Sequence, residues 1–141
     1  MRWYHRSIIT PAAAAEIAAD VRYRAFSESL FSGIVHQVLD NAPMIALDAP
    51  SYIRVEERPS GCPWHNDPGT GSGHMGWCRY SAGVLLTDPA GFSGGGFHYS
   101  DDGPIFHYCD LAMWDDSPEN RHYVASSGGG RKALLMFFAA A

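Results

Sequence analysis

Of the seven histidines in the chain, only His65 is followed by an aspartate two residues later, in Trp64-His65-Asn66-Asp67. In an extended segment residues two apart point the same way, so this imidazole and this carboxylate can reach one metal ion. A pair of that kind also arises by chance, and its context decides. Two ligands leave a cation half held, and the third is expected from a strand distant in sequence but adjacent in a closed sheet. His122, in Asn120-Arg121-His122-Tyr123-Val124, begins such a strand. Two imidazoles and one carboxylate on one side of an octahedral Fe(II) leave positions open for a cosubstrate and O2, whereas a structural zinc site is closed by four ligands, usually with thiolates. Arg131 follows nine residues after His122, with Ser126-Ser127-Gly128-Gly129-Gly130 as the turn between. It shares a strand face with Ala133, Leu135 and Phe137, so a lone guanidinium points inward and needs an anion. Its planar fork would bind a carboxylate at two points, as required if a dicarboxylic keto acid chelates the iron through its other end.

The elements that must position these residues are predicted as follows. Thr10-Pro11 is an N-cap with proline at the first helical position, and Ala12 to Ala25 is rich in strong helix formers. A second helix is expected from Ser27 to Leu39, stopped by Asp40-Asn41-Ala42-Pro43, which makes the first forty residues helical. From Ser51 the chain turns to short β-like runs separated by Gly, Pro, Asp and Ser: Ser51–Arg58, Pro63–Asp67, Arg79–Thr87, Gly95–Ser100, Ile105–Tyr108, Leu111–Trp114, His122–Ala125 and Arg131–Phe138. Eight short strands suit a jelly roll. The expected organisation is a single domain over 1–141, mainly β, with residues 1–45 as helical cover and 51–138 as the jelly-roll core. In the first strand Tyr52, Arg54 and Glu56 share one side and Ile53 and Val55 the other, which the helices must cover.

Composition sets the outer limits. With 141 residues, 46% of them hydrophobic, 18% charged, and a formal charge of −5, the chain can build one core and is neither disordered nor multidomain. Ten basic residues against fifteen acidic ones form no stripe for a phosphate backbone, so nucleic acid is not an expected partner. No apolar run reaches the ~18 residues of a membrane span. The alanine-rich stretch near the start is broken by Glu16 and Asp20, unlike a secretory leader, and a cytoplasmic protein is expected. Cys62, Cys78 and Cys109 form no C-x-x-C pair and are read as free thiols.

With these residues in place the sequence resembles the non-haem Fe(II) and 2-oxoglutarate-dependent dioxygenases, in particular the prolyl-hydroxylase-like branch, over about Tyr52 to Phe138. The landmarks, in order, are Trp64-His65-Asn66-Asp67, Arg79-Tyr80-Ser81-Ala82-Gly83-Val84-Leu85-Leu86-Thr87, Gly94-Gly95-Gly96-Phe97, Asp110-Leu111-Ala112-Met113-Trp114-Asp115, and Asn120-Arg121-His122-Tyr123-Val124 with Arg131. The resemblance implies a double-stranded β-helix, iron held by His65, Asp67 and His122, and the distal carboxylate of 2-oxoglutarate held by Arg131. It also implies O2 as cosubstrate and hydroxylation of an unactivated C–H bond, with succinate and CO2 as coproducts. Asp67 favours hydroxylation over halogenation, because halogenating relatives have no carboxylate there. Two departures stand out. The tyrosine that such relatives place about ten residues before the first ligand is here Val55, which leaves Tyr52 and Tyr80 as candidates for a helper hydroxyl. An acidic residue often follows the Gly-Gly pair, and here it is Phe97.

Substrate-binding candidates are Arg54 and Glu56, which face inward, and Trp64, His74, Trp77 and Arg79 around the opening. Each has a plainer reading, as a surface ion pair, a solvated loop residue or ordinary packing. His98 and His107 lie in alternating aromatic runs and read as half-buried sheet residues. A small amino-acid-like molecule or a peptide side chain is the expected substrate. The chain is too short for long lids, so its opening is left to solvent or to a second subunit in a homodimer. The alternatives are a cupin-like metalloenzyme that does not use 2-oxoglutarate and a non-catalytic jelly-roll binding module.

Overall fold

The protein is described from a computed structural model, covering residues 2–19, 40, 52–67, 76–99 and 107–139. The strands are β1 (Arg2–His5), β2 (Tyr52–Glu56), β3 (Cys62–His65), β4 (Cys78–Leu85), β5 (Phe97–Tyr99), β6 (Leu111–Asp115), β7 (His122–Val124) and β8 (Ala133–Ala139), and the helix α1 spans Pro11–Ala18. Five strands form one sheet in the order β1-β6-β4-β8-β2, and three form another in the order β3-β7-β5. All pairs within the two sheets are antiparallel. From β2 to β8 the chain alternates between the sheets at every step, which is the winding of a jelly roll.

Side-chain alternation on the large sheet separates its two faces. Ile53, Val55, Val84, Leu111, Met113, Leu134, Met136 and Phe138 turn one way and build the main core with Ile8, Ile9, Ala14 and Ile17. Each large aliphatic or aromatic side chain buried there contributes about 1.5–3 kcal/mol. The other face meets the small sheet, where Ala112 and Trp114 pack against Phe97 and Tyr99. Arg54, Glu56, Ala133, Leu135 and Phe137 line the cavity that remains between the sheets. The inward set expected in β2, and the row from Arg131 to Phe137, are therefore as the alternation implied.

The helix starts where expected. Thr10 Oγ1 accepts from the Ala13 amide at 3.1 Å, and Pro11 occupies the first turn. It runs to Ala18, with Ala19 as its C-cap, and Lys132 Nζ donates to the Ala18 carbonyl at 3.0 Å; the rest of the expected stretch to Ala25 lies outside the described residues. The expected second helix, Ser27–Leu39, and the first half of the strand Ile105–Tyr108 fall outside the described residues; Tyr108 forms an isolated bridge to Leu85. The expectation that the first forty residues are helical fails at Arg2–His5, which is a strand on the edge of the large sheet. Its residues pair in register with Leu111 to Trp114. Trp3 packs on the main core, and Tyr4 donates its hydroxyl to Asp110 Oδ2 at 2.6 Å. Cross-strand burial of aromatic side chains outweighs proximity to a helix. Strand β8 begins at Ala133, after Gly129 and Gly130 take the left-handed backbone conformation. The three cysteines are free thiols, and among the described residues no helix is long and apolar enough to cross a membrane.

Candidate metal centre and anion pocket

The winding makes β3 and β7 neighbours, and their register sets His65 directly opposite His122. Just before β3, Gly61 sits at φ +73°, where a Cβ would stand 2.2 Å from the Val124 carbonyl oxygen, so only glycine lets β3 approach β7 this closely. Asp67 follows on the chain leaving β3. One ligand atom from each of His65, Asp67 and His122 lies within 4.8 Å of the others. The His65 Nε2 is 3.5 Å from Asp67 Oδ1, and the His122 Nε2 is 3.6 Å from Asp67 Oδ2.

The tautomers follow from the backbone. His65 Nδ1 lies 2.7 Å from the Pro63 carbonyl and His122 Nδ1 lies 2.7 Å from the Asn120 carbonyl. A carbonyl only accepts, so each Nδ1 carries the proton and donates it to the residue two positions before. Each Nε2 is left as a lone pair directed at Asp67, the outer hydrogen bonding typical of a metal-ligating histidine. Two bonds of about 2.1 Å to one cation put their ligand atoms roughly 3–3.5 Å apart, so the donor set fits a first-row divalent ion with little adjustment. Among the described residues no fourth histidine, cysteine, aspartate or glutamate joins the group. Among the described residues the set therefore has three members, one fewer than a closed four-ligand structural site.

Electrostatics agree with a site built for positive charge. Burial works against the Asp67 carboxylate, but its contacts with His65 and His122 outweigh burial and hold its pKa below the usual value. The hydrogen bond to Asp67 raises the His65 pKa above the usual imidazole value, against the opposing effect of burial. His122 is lowered, chiefly by burial. Phe97 stacks on its ring at 4.8 Å and Trp114 meets it at 5.1 Å. The Trp114 indole N–H also donates to Asp67 Oδ2 at 3.2 Å.

Arg131 lines the same cavity from the facing sheet and is 9% exposed. Burial pulls its pKa down, and the negative charge of Glu56 opposes that. Gly95 packs directly on it: a Cβ there would lie 2.5 Å from Arg131 Cδ. Arg54 donates to Glu56 Oε2 at 2.6 Å, and Arg58 reaches the same oxygen at 3.4 Å.

Of the residues singled out in the sequence, the structure brings His65, Asp67, His122, Arg131, Arg54 and Glu56 into one cavity. Tyr52 lies beside it, opposite Phe137, with ring centroids 6.1 Å apart. Four others lie elsewhere. Tyr80 packs against Trp3 on the helix-covered core, because its place in β4 turns it away from the cavity. Trp64 is 41% exposed and rests on Tyr123 and Arg121 on the outside of the small sheet. Trp77 is exposed in the turn before β4. Arg79 donates to the Gly76 and Cys78 carbonyls and pairs with Asp116 at 3.8 Å. His74 lies outside the described residues. His98 stacks on Tyr123 and, with His107, takes no part in the ligand group. Sequence reading missed Arg58, Cys62 and the supporting roles of Phe97, Trp114 and Asn120. Only Asn120 carried a visible signal, since it precedes its histidine by the same two positions as Pro63.

No family model matches the sequence, and no curated protein matches it either. Solved structures do. The viral collagen prolyl hydroxylase of Paramecium bursaria Chlorella virus 1, in its 2-oxoglutarate complex, superposes with a TM-score of 0.74 at 10% identity, covering 99% of this chain and 96% of that one. A Pseudomonas putida prolyl-4-hydroxylase gives 0.71 at 12% identity, covering 99% and 92%. A Trichoplax adhaerens prolyl hydroxylase in complex with a hypoxia-inducible-factor peptide gives 0.68 at 10% identity, covering 98% and 83%. The chain has the fold of these proteins.

Proposed function

We propose that the chain is an Fe(II)- and 2-oxoglutarate-dependent hydroxylase, one domain throughout, acting on a C–H bond of a small amino-acid-like molecule or a peptide side chain. The observation that carries this is the convergence of two Nε2 lone pairs and one carboxylate within 4.8 Å, in a cavity whose facing wall holds a buried arginine. The names of the structural neighbours, prolyl hydroxylases and one described as of the 2OG-Fe(II) oxygenase family, support the same chemistry.

Iron bound with 2-oxoglutarate and O2 would supply the oxidising power for hydroxylation, with succinate and CO2 as coproducts. The chain's own residues do the rest. His65, Asp67 and His122 would hold the cation. The backbone carbonyls of Pro63 and Asn120 fix both imidazoles with Nε2 inward. Phe97 and Trp114 keep water from His122. Arg131 binds the distal carboxylate of the keto acid and so orients it toward the cation.

Anaerobic addition of Fe(II) and then 2-oxoglutarate tests the reading. A visible iron-to-keto-acid charge-transfer band is expected, together with succinate formation under air, and a protein that binds iron without either overturns it. A metalloenzyme that does not use 2-oxoglutarate is the second reading, favoured by Glu56, which already places a carboxylate of the chain in the field of Arg131. Arg131→Ala separates the two: it abolishes the band and raises the 2-oxoglutarate KM at least tenfold in the first case, and leaves turnover intact in the second.

A further inference from the structure

Arg54 occupies a place in the cavity that binding the keto acid leaves without a task. Along the large sheet Glu56 pairs with Ala133, Arg54 with Leu135, and Tyr52 with Phe137, so Arg131 stands at one end of this row and Phe137 at the other. The Arg54 guanidinium reaches toward the second end: its carbon lies 5.4 Å from the Phe137 ring and 5.9 Å from the Tyr52 ring. Phe137 is opposite Ser81, and Ser81 is opposite Trp114, whose indole donates to Asp67. The shortest contact of Arg54 is with Glu56 at 2.6 Å, so the guanidinium stands in the middle of the row, between the Arg131 end and the level of Trp114 and Asp67.

Two observations indicate what it awaits. Its Nε is buried and has no hydrogen-bond partner, and a buried charged donor left unpaired is costly. Among the described residues, the cavity lining carries three guanidiniums, Arg54, Arg58 and Arg131, against two carboxylates, Glu56 and Asp67. Arg58 is 45% exposed and screened by water, but it shares Glu56 Oε2 with Arg54, so the carboxylate beside Arg54 is divided between two guanidiniums.

Building on the hydroxylase reading, we propose that Arg54 anchors a carboxylate of the substrate, and that the substrate class is a small carboxylic acid rather than a neutral molecule or the interior of a peptide chain. Glu56 holds the guanidinium in place through one N–H, and the part of Arg54 that lines the cavity is left for the incoming acid. Arg79, the other cation considered for this role, is tied to Asp116 outside the cavity.

The test is calorimetric titration of protein loaded with 2-oxoglutarate and redox-inert Zn(II), using a set of N-acetyl amino acids, each paired with its carboxamide. At least one acid is expected to bind at least about tenfold more tightly than its amide, the range of a charge-assisted hydrogen bond. That preference is expected to fall below about twofold in Arg54→Gln and in Arg54→Met, which keeps contact with Phe137, with both variants checked by thermal unfolding. If no acid outbinds its amide, or if the preference survives in either neutral variant, the assignment is overturned; should neither variant fold, the wild-type comparison alone decides. Failure of the hydroxylase reading shows separately, as absence of the keto-acid charge-transfer band in the wild-type Fe(II) protein.

Discussion

Trp114 donates its indole N–H to the same Asp67 oxygen that faces the His122 Nε2. It therefore fixes the orientation of the carboxylate between the two imidazoles. Removing an outer partner of a metal ligand typically costs 10–100-fold in affinity. Trp114→Phe keeps most of the packing against Phe97 and Tyr99 and removes the donor, so Co(II) affinity should fall about tenfold, read by competition with a chelator. Unchanged affinity would mean that the indole only packs. Such support is invisible in the sequence, because Trp114 is one of four tryptophans and nothing in its own strand refers to Asp67. That His65, Asp67 and His122 converge was legible from their spacing and the expected strand neighbours, although β3 stops at His65 and Asp67 lies just beyond it. Tyr80 was not, because its face depends on which side of β4 the helix covers.

The turns and edges of the fold set the reach of these side chains. Gly95, at φ +73°, lies so close to Arg131 that a Cβ would meet its Cδ at 2.5 Å. Gly95→Ala is expected to displace the guanidinium, weakening 2-oxoglutarate binding at least about tenfold while metal affinity stays within about twofold, both measured by calorimetry. Loss of both together would point instead to collapse of the turn. At the opposite edge, β1 is fastened by Asp110, a buried carboxylate that accepts from the Tyr4 hydroxyl and the Ser7 amide, each at 2.6 Å. Asp110→Ala should cost about 2–3 kcal/mol in urea unfolding with an unchanged slope. This edge is where the sequence misled. Four residues beside a strong N-cap show little periodicity, and their partner Leu111–Asp115 lies more than a hundred positions away. The core strands were legible because burial of one face imposes alternation on each of them, while the end of α1 has no such local mark.

The two sheets are held by unequal means. The large sheet has a continuous apolar core under α1, whereas the small sheet contributes chiefly Phe97, Tyr99 and Val124 to a cluster with Ala112 and Trp114. Strands β3 and β7 have an interrupted register, and His65 and His122 are the pair that faces across it. A cation bound by both, and by Asp67, would cross-link these strands in the folded state alone. Binding that excludes the unfolded chain stabilises by about 2.7 kcal/mol at a ligand concentration one hundred times the dissociation constant. In a chain of 141 residues that raises the melting temperature by about 10 °C. Such a rise is expected with Fe(II) under argon and with Co(II). His122→Ala and Asp67→Ala should abolish it, and Arg131→Ala should keep it, because Arg131 is not part of the converging group. A rise shared equally by all three variants would place the cation elsewhere on the molecule, and no rise at all would mean that the three converging side chains do not act as one site.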